Sequence, residues 1–440
     1  MWTAIQNLFR IESLRKKIFV TLGLLFVARV GLHIPLPGVN RDAFKAMVEN
    51  AFGGGVTAIT GLFNALSGGN VNAPVLFSMG ILPYISASII FSLLVKVVPS
   101  LEALSKEGAS GQKKINQYSR LLTVPLCVVQ GTAITMAHFW GMRTETAQVC
   151  PNTIGFLITA VLGMTAGTIF LMWLGEQITA HGIGNGVSLL IVAGIVSDLP
   201  QAFFAIIKQA AEDRGQILTA LVLFGVYFAM VIGIVYMTRA QRRIPMQQAK
   251  QMRGNKMMGG QRHYLPIKLN AASVMPVIFA SALLTLPATI STWISGRQDG
   301  FLAYGGWWWV FLFSALIMFF AFFWTSLMFQ PSEMANNLQE YGSFIPGIRP
   351  GPKTAAFLEK VMTHITLVGA VMLTLVAIVP MLVTNELGVQ AIVSSFMGGT
   401  GILIIVGVTL DLVDQLNANL LQRNYEGFMS TGGSRKARRG

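Results

Sequence analysis

Ten stretches of about 20 predominantly apolar residues run through the 440-residue chain, at 18–36, 74–95, 121–140, 153–175, 187–207, 216–238, 271–294, 306–329, 363–383 and 391–413. Each is long enough to cross a hydrocarbon layer about 30 Å thick. Hydrocarbon offers the peptide backbone no hydrogen-bond partner, so such stretches are predicted to be helices. The chain is 53% hydrophobic and only 11% charged, against about 25% charged for a soluble domain. A soluble nucleic-acid-binding protein, otherwise suggested by the net charge of +14, is therefore excluded as a class.

The positive charges have a pattern. Lys and Arg crowd the amino-terminal segment, the connections after the second, sixth and eighth spans, and the tail, whereas the alternate connections hold only Arg41, Lys45, Arg143, Lys208, Arg214 and Arg297. The positive-inside rule places both termini in the cytoplasm, which an even number of spans requires. No cleavable signal peptide is visible in the polar, basic start "MWTAIQNLFRIESLRKK". The midpoint falls in "IKQAAEDRGQ", 207–216, leaving five spans on each side. Two related halves of five spans would be inverted relative to one another. The predicted organisation is an amino-terminal half, 1–207, an external hinge connection, 208–215, a carboxy-terminal half, 216–421, and a basic cytoplasmic tail, 422–440, whose end "GGSRKARRG" reads as disordered. Two long basic connections, 239–270 and 330–362, read as loops, functional or disordered. On charge alone they could equally serve only topology and anionic lipid.

Catalytic signatures are missing: the sequence holds no Walker phosphate loop, no H-E-x-x-H and no G-x-S-x-G. "HGIGNGVS", 181–188, follows a span and lacks the Lys-Ser/Thr ending of a phosphate loop, so it reads as a tight turn. In-span charges are few, namely Arg29, Asp198, Asp411 and Asp414, and none is set securely at a midplane where a proton relay or ion-coupled carrier needs one. Ile81 and Ile85 share a helical face, a spacing ordinary packing would also give. Cys127 lies in an apolar run and Cys150 in a polar connection, so no disulfide between them is expected. Between glycines at 53–55 and 68–69 lies a short apolar segment, 57–67, with Ile59, Leu62, Phe63 and Leu66 at helical spacing. Eleven helical residues rise about 16 Å and do not cross a membrane, so it reads as re-entrant or interfacial.

Five longer segments then carry a resemblance. "RVGLHIPLPG" (29–38), "MGILPYISASII" (79–90), "KEGASGQKKINQYSR" (106–120), "GEQITAHGIGNGVS" (175–188) and "FIPGIRPGPKTA" (344–355) are similar in kind and order to the signature segments of the SecY family, the channel-forming subunits of the bacterial protein-conducting translocase. The resemblance implies an all-α polytopic membrane protein with ten transmembrane helices in two inverted five-helix halves around a central pore, and a short re-entrant plug helix. It implies a pore ring of Ile81, Ile85, Ile191, Ile278 and Ile404, and makes 57–67 the plug, hinged at Gly55, Gly68 and Gly69. It places a lateral gate near Ser86 and Gln130, which read equally well as interhelical hydrogen-bonding groups. Arg242, Arg243 and Arg349 become docking residues for the SecA motor ATPase or for ribosomal RNA. Further implied partners are SecE-like and SecG-like small membrane subunits, signal peptides, unfolded preproteins and membrane lipid. The implied setting is the bacterial inner membrane, with no cofactor, metal or catalytic residue. Two other classes stay open on the residues alone, an inverted-repeat solute carrier and an intramembrane enzyme.

Overall fold

The computed structural model describes residues 12–40, 73–140, 148–212, 216–248, 251–253, 256–258, 262–270, 272, 274–281, 283–284, 306–386 and 399–436. The plug residues Ile59, Leu62, Phe63 and Leu66 and the hinges Gly55, Gly68 and Gly69 lie outside them. The chain divides into two compact units, one drawn from Met1–Phe204, Gln390–Phe396 and Val408–Gly440, the other from Ala205–Val389 and Met397–Gly407.

In the first unit the helices are α1 (Glu12–Gly31), α2 (Leu82–Val97), α3 (Pro99–Lys106), α4 (Ala109–Ile134, continued by a π-turn to Phe139), α5 (Ile154–His181) and most of α6 (Gly186–Glu212). The last residues of α6 thus occupy 208–212, within the predicted hinge connection. Before Pro99, Val98 is extended, as the proline ring demands, and the chain axis turns by 96° between α2 and α3. α4 packs on α2 and α5, and α5 on α1. The basic stretch before the third span is not a loop, since α4 starts at Ala109. Its buried face is Gly111, Ile115, Ser119, Thr123, Cys127 and Gly131, one small or apolar residue every fourth position.

Two non-helical segments meet in this unit, 73–80 largely buried and 32–36 with His33 and Ile34 exposed. Residues 32–36 and 73–80 pair antiparallel through a Pro35–Val75 bridge, with Leu36 N–H donating to Pro74 O at 2.9 Å and Leu76 N–H to Ile34 O at 2.9 Å. Glycines on the neighbouring helices make the room. A Cβ at Gly167 of α5 would strike the Leu76 carbonyl, and one at Gly31 would strike the Phe77 ring. Thr168 of α5 donates to Gly80 O at 3.1 Å. The chain on both flanks of 41–72 is thereby fastened.

In the second unit α7 (Gln216–Arg239) leads into β1 (Gln241–Gln248), followed by the short hairpin β2 (Gln251–Arg253) and β3 (Lys256–Met258), then β4 (Arg262–Lys268). After α8 (Trp307–Met328) come α9 (Pro331–Glu340), β5 (Ser343–Phe344) and α10 (Pro352–Glu386); α11 is Gly399–Lys436, its first turns in this unit. β1 pairs antiparallel with β4, Ile244 opposite Leu265, and its far end pairs with β5, Gln247 opposite Phe344. The two long connections are therefore one folded module rather than separate loops. Ile244, Ile267, Ile345, Leu358, Val361, Met362 and Ile365 are buried together as its core. Of the end expected to be disordered, 432–436 instead form the last residues of α11, while 437–440 lie outside the described residues.

Five helices among the described residues are long and apolar enough to cross a membrane: Ile154–His181, Ile217–Arg239, Trp307–Glu340, Pro352–Val383 and Thr400–Ala418. The bent pair α2–α3 makes a sixth if it counts as one span. The predicted spans 18–36, 121–140 and 187–207 overlap α1, α4 and α6, which are not among these five, and 18–36 runs on into the non-helical segment 32–36, whereas 271–294 and 391–413 fall only partly within the described residues. The fold is a polytopic, mainly helical one. Its outer helix faces are bare hydrocarbon, as with Leu218, Leu221, Phe311 and Phe319, which suits lipid rather than water.

Leu358 is fully buried in the module core. Leu358→Ala is expected to cost about 2–5 kcal/mol locally, read as faster tryptic cleavage within 239–270 of the detergent-solubilised protein. Tyr264→Ala, at a residue 60% exposed, should leave the cleavage rate unchanged. Equal protection in L358A would show that the two connections do not share a core.

Candidate functional site: the isoleucine set and the basic module

Ile81 is not a mid-helix residue as the periodicity implied. It is the N-cap of α2, with φ −99° and ψ 3°, and Pro83 occupies the first turn behind it. A proline there is pre-shaped for a helix start and lacks only an N–H that would be unpaired anyway. Ile81 O accepts from Ile85 N–H at 3.1 Å, so the two sit one turn apart. Ile81 is only 1% exposed and Ile85 is half-buried. Ile191, on the second turn of α6, is buried.

A cavity of about 20 Å³ joins these elements, lined by Leu25, Ala28, Arg29 and Leu32 of α1 and the residues after it, Phe77 and Ile81, Leu171 of α5, and Leu190, Ala193 and Gly194 of α6. That is room for about one water molecule. Ile81 and the residue preceding Ile191 thus face one small void.

The other two isoleucines belong to the second unit. Ile278 lies in the helical stretch 275–281, half-buried, and Ile404 is buried in the first turns of α11. Val274 approaches within 3.2 Å of where a Gly407 Cβ would stand. Ile278 is one turn from Val274, and Ile404 three residues from Gly407. Each unit therefore carries its own share of the five.

Ser86 on α2 is half-buried, and so is Gln130 on α4, which packs against α2. Among the described residues the buried Gln130 Oε1 atom has no hydrogen-bond donor.

The three arginines expected to dock partners share the module. Arg242 and Arg243 open β1 and are exposed, while Ile244 beside them turns inward. Arg349 is exposed at the tip of the turn between β5 and α10. Gly347 and Gly351 flank it at φ +86° and +95°, the left-handed region that glycine enters without a Cβ penalty. The Arg349 carbonyl accepts from Thr354 Oγ1 at 2.9 Å, which fixes the turn on the first turn of α10. Strand pairing β1–β5 is what brings residues 242–243 and 349 into one body.

Three features went unread in the sequence. The Arg29 guanidinium donates through Nη2 to the Ala193 carbonyl and, at 3.0 Å, to the Gly194 carbonyl. Arg29 stood out as an in-span charge, but nothing in the sequence pointed to its acceptors. Arg120 Nε lies 2.6 Å from Glu176 Oε1, tying α4 to α5. The turn 182–185 is closed by Asn185, whose Oδ1 accepts from Val187 and Ser188 N–H at 3.1 and 3.4 Å, the side-chain cap that asparagine provides at a helix start.

Cys150, expected in a polar connection, is fully buried, in one apolar cluster with Cys127, Leu36, Met79 and Phe156. Both cysteines are free. Burial pushes the Cys150 thiol up from its ordinary 9.0 to about 11.

The SecY family model matches residues 75–413. The protein translocase subunit SecY of Streptomyces coelicolor is 44% identical over 446 residues, covering 98% of this chain and 100% of the relative. A solved protein-conducting channel superposes with a TM-score of 0.64 at 18% identity, over 92% of both chains. Sec61 in the canine ribosome–channel complex from the endoplasmic reticulum does so at 0.60 and 17%, also over 92% of both.

A raised thiol pKa lowers the thiolate fraction at neutral pH, and thiolate is the reactive form. Maleimide should label Cys150 of the folded protein slowly at pH 7.5, with the rate rising about tenfold per pH unit towards pH 11. The cysteine-bearing peptide, quantified by mass spectrometry, reports it. Rapid labelling at neutral pH would contradict the burial.

Proposed function

The chain belongs to the SecY family, and from that premise we propose that it is a passive protein-conducting channel. It moves unfolded, signal-bearing polypeptides across the membrane and releases apolar segments sideways into lipid. The observation that carries this reading is the extent of the likeness, 44% identity over 98% of the chain. The solute-carrier alternative finds no support in any of these likenesses.

Ile81, Ile85, Ile191, Ile278 and Ile404 form the constriction in this reading. Translocating chains present every kind of side chain, so a conduit for them cannot rely on specific polar contacts. An aliphatic ring dewets when empty, which opposes ion flow, and yields to whatever passes without holding it. The burial of Ile81 and Ile191 in the first unit suits apolar side chains that stay out of water when no chain is passing. Residues 57–67 act as the movable plug, with Gly55, Gly68 and Gly69 as hinges. The fastening of the chain on both flanks, at 32–36 and 73–80, fits a short segment that moves while its ends stay put. Ser86 and Gln130 border the lateral gate. The halves 1–207 and 216–421 are inverted relatives, and both termini are cytoplasmic, in a bacterial plasma membrane.

The chain supplies no catalytic step. Work comes from a motor ATPase of the SecA type or from a translating ribosome, docked on Arg242, Arg243 and Arg349. Exposed guanidiniums on a rigid module suit ribosomal phosphates or acidic protein surfaces. The likeness to a channel seen in a ribosome complex supports the ribosome as one such partner. Small SecE-like and SecG-like subunits complete the assembly.

The test is reconstitution of the full chain with SecE-like and SecG-like subunits and a SecA motor. ATP-dependent transport of an unfolded signal-bearing precursor is expected, without saturable uptake of small solutes. The reverse result would reinstate the carrier class. In planar bilayers, Ile81→Ser and Ile278→Ser are each expected to raise resting conductance several-fold, and deletion of 57–67 to raise it while transport is retained. Unchanged conductance would remove those residues from the seal.

A further inference from the structure

Arg29 is a charge on the wrong side. It stands near the end of α1 away from the basic amino-terminal segment, within an apolar span. An arginine there ordinarily escapes by extending to the nearest water. This one reaches sideways instead. Its Nη2 donates to the carbonyls of Ala193 and Gly194, 164 and 165 residues away in sequence. Both carbonyls are mid-helix. Each has a second lone pair to offer beyond its helical bond, and Gly194 has no side chain to shield it. Ser197 Oγ donates to Gly194 O as well, at 2.9 Å.

The position of the grip matters more than its strength. Pro200 lies just beyond and removes one rung of the α6 ladder. The apolar part of α6 is the short stretch Gly186–Ser197, which carries Ile191 at its centre. The guanidinium holds that stretch within one turn of Ile191. Arg29 also lines the same cavity as Ile81 and Leu190.

We propose that Arg29 is a positioning residue for the channel constriction: its two-carbonyl clamp sets the distance between the Ile191 turn of α6 and Ile81, and so holds the amino-terminal part of the ring closed. This rests on the reading of Ile81 and Ile191 as constriction residues. A guanidinium fork suits the task, because it is always charged and presents its donors in fixed geometry. Bonds to main-chain oxygens fix helix placement independently of which side chains α6 carries.

The experiment uses the full chain with its small membrane subunits, as Arg29→Gln and Arg29→Lys. Two readouts are taken, resting conductance in planar bilayers and the distance distribution between spin labels at Phe26→Cys and Val196→Cys. Both label sites are exposed. R29Q is expected to broaden the α1–α6 distance distribution and to raise resting conductance about tenfold. R29K, keeping the charge but not the planar donor geometry, is expected to fall between the parent and R29Q on both readouts. An unchanged distance distribution in R29Q overturns the clamp. A broadened one with unchanged conductance overturns its positioning role. Ile81→Ser in the parent separates the two readings: if it fails to leak, the ring assignment is what fails, while the R29Q distances still report on the clamp. If R29Q does not assemble, Gly194→Val crowds the acceptors with Arg29 intact, and the same two readouts decide.

Discussion

Everything in this chain follows from the absence of water in hydrocarbon. A peptide group there must find its partner in the protein, and helices provide it along most of the sequence. Side-chain hydroxyls obey the same rule. Thr123, Thr135, Thr165, Thr238 and Thr374 each turn back on the carbonyl four residues earlier, at 2.7–2.8 Å. The two irregular segments, 32–36 and 73–80, satisfy one another through a bridge and two hydrogen bonds. They lie against glycines of α1 and α5, where no Cβ holds them off. Irregular backbone at this depth is tolerated only under such cover, and it is here that the chain places Ile81, at the junction of irregular and helical structure.

Outside the membrane the constraint reverses. Basic connections that could have remained solvated strings build a sheet and a core. Ile244, Ile267, Ile345 and Leu358 come from stretches up to a hundred or so residues apart, yet close into one buried cluster. Rigidity is the gain. Arginines on a mobile loop lose side-chain and backbone entropy on docking, whereas those on a folded strand and a glycine-flanked turn have most of it lost already.

The spans were legible because a helix needs only its own residues, and run length and charge bias are local signals. The motifs from 29–38 to 344–355 made the family legible. The module was not legible. β1 reads QRRIPMQQ, with Ile244 its one fully buried residue, so no alternation announces a strand. Its partners lie across a long connection at β4 and across α8 and α9 at β5, and pairing at that separation leaves no periodic trace. α4 was readable in retrospect. The four-residue rhythm from Gly111 to Gly131 crosses the boundary between polar and apolar stretches, but hydropathy alone saw only its second half. Cys150 was misplaced for the same reason, because burial under Phe156 and Leu36 is tertiary.

A channel for unfolded chains has to be sealed without being rigid throughout. Continuous hydrophobic packing of the kind in the module core would seal, but it would resist opening in proportion to the area buried. The amino-terminal unit uses something different around Ile81. There is a small cavity, glycines at the close approaches, and polar fastenings at a few points: Thr168 to Gly80, Arg29 to α6, Arg120 to Glu176. Directional bonds hold a position sharply, yet each is lost within an ångström or so of displacement, whereas dispersion and apolar burial change gradually along a sliding interface. Helices held this way have a sharply defined arrangement and lose most of their fastening early in any displacement. That is a physical reason for a helical unit set in hydrocarbon to keep an arginine among its own helices.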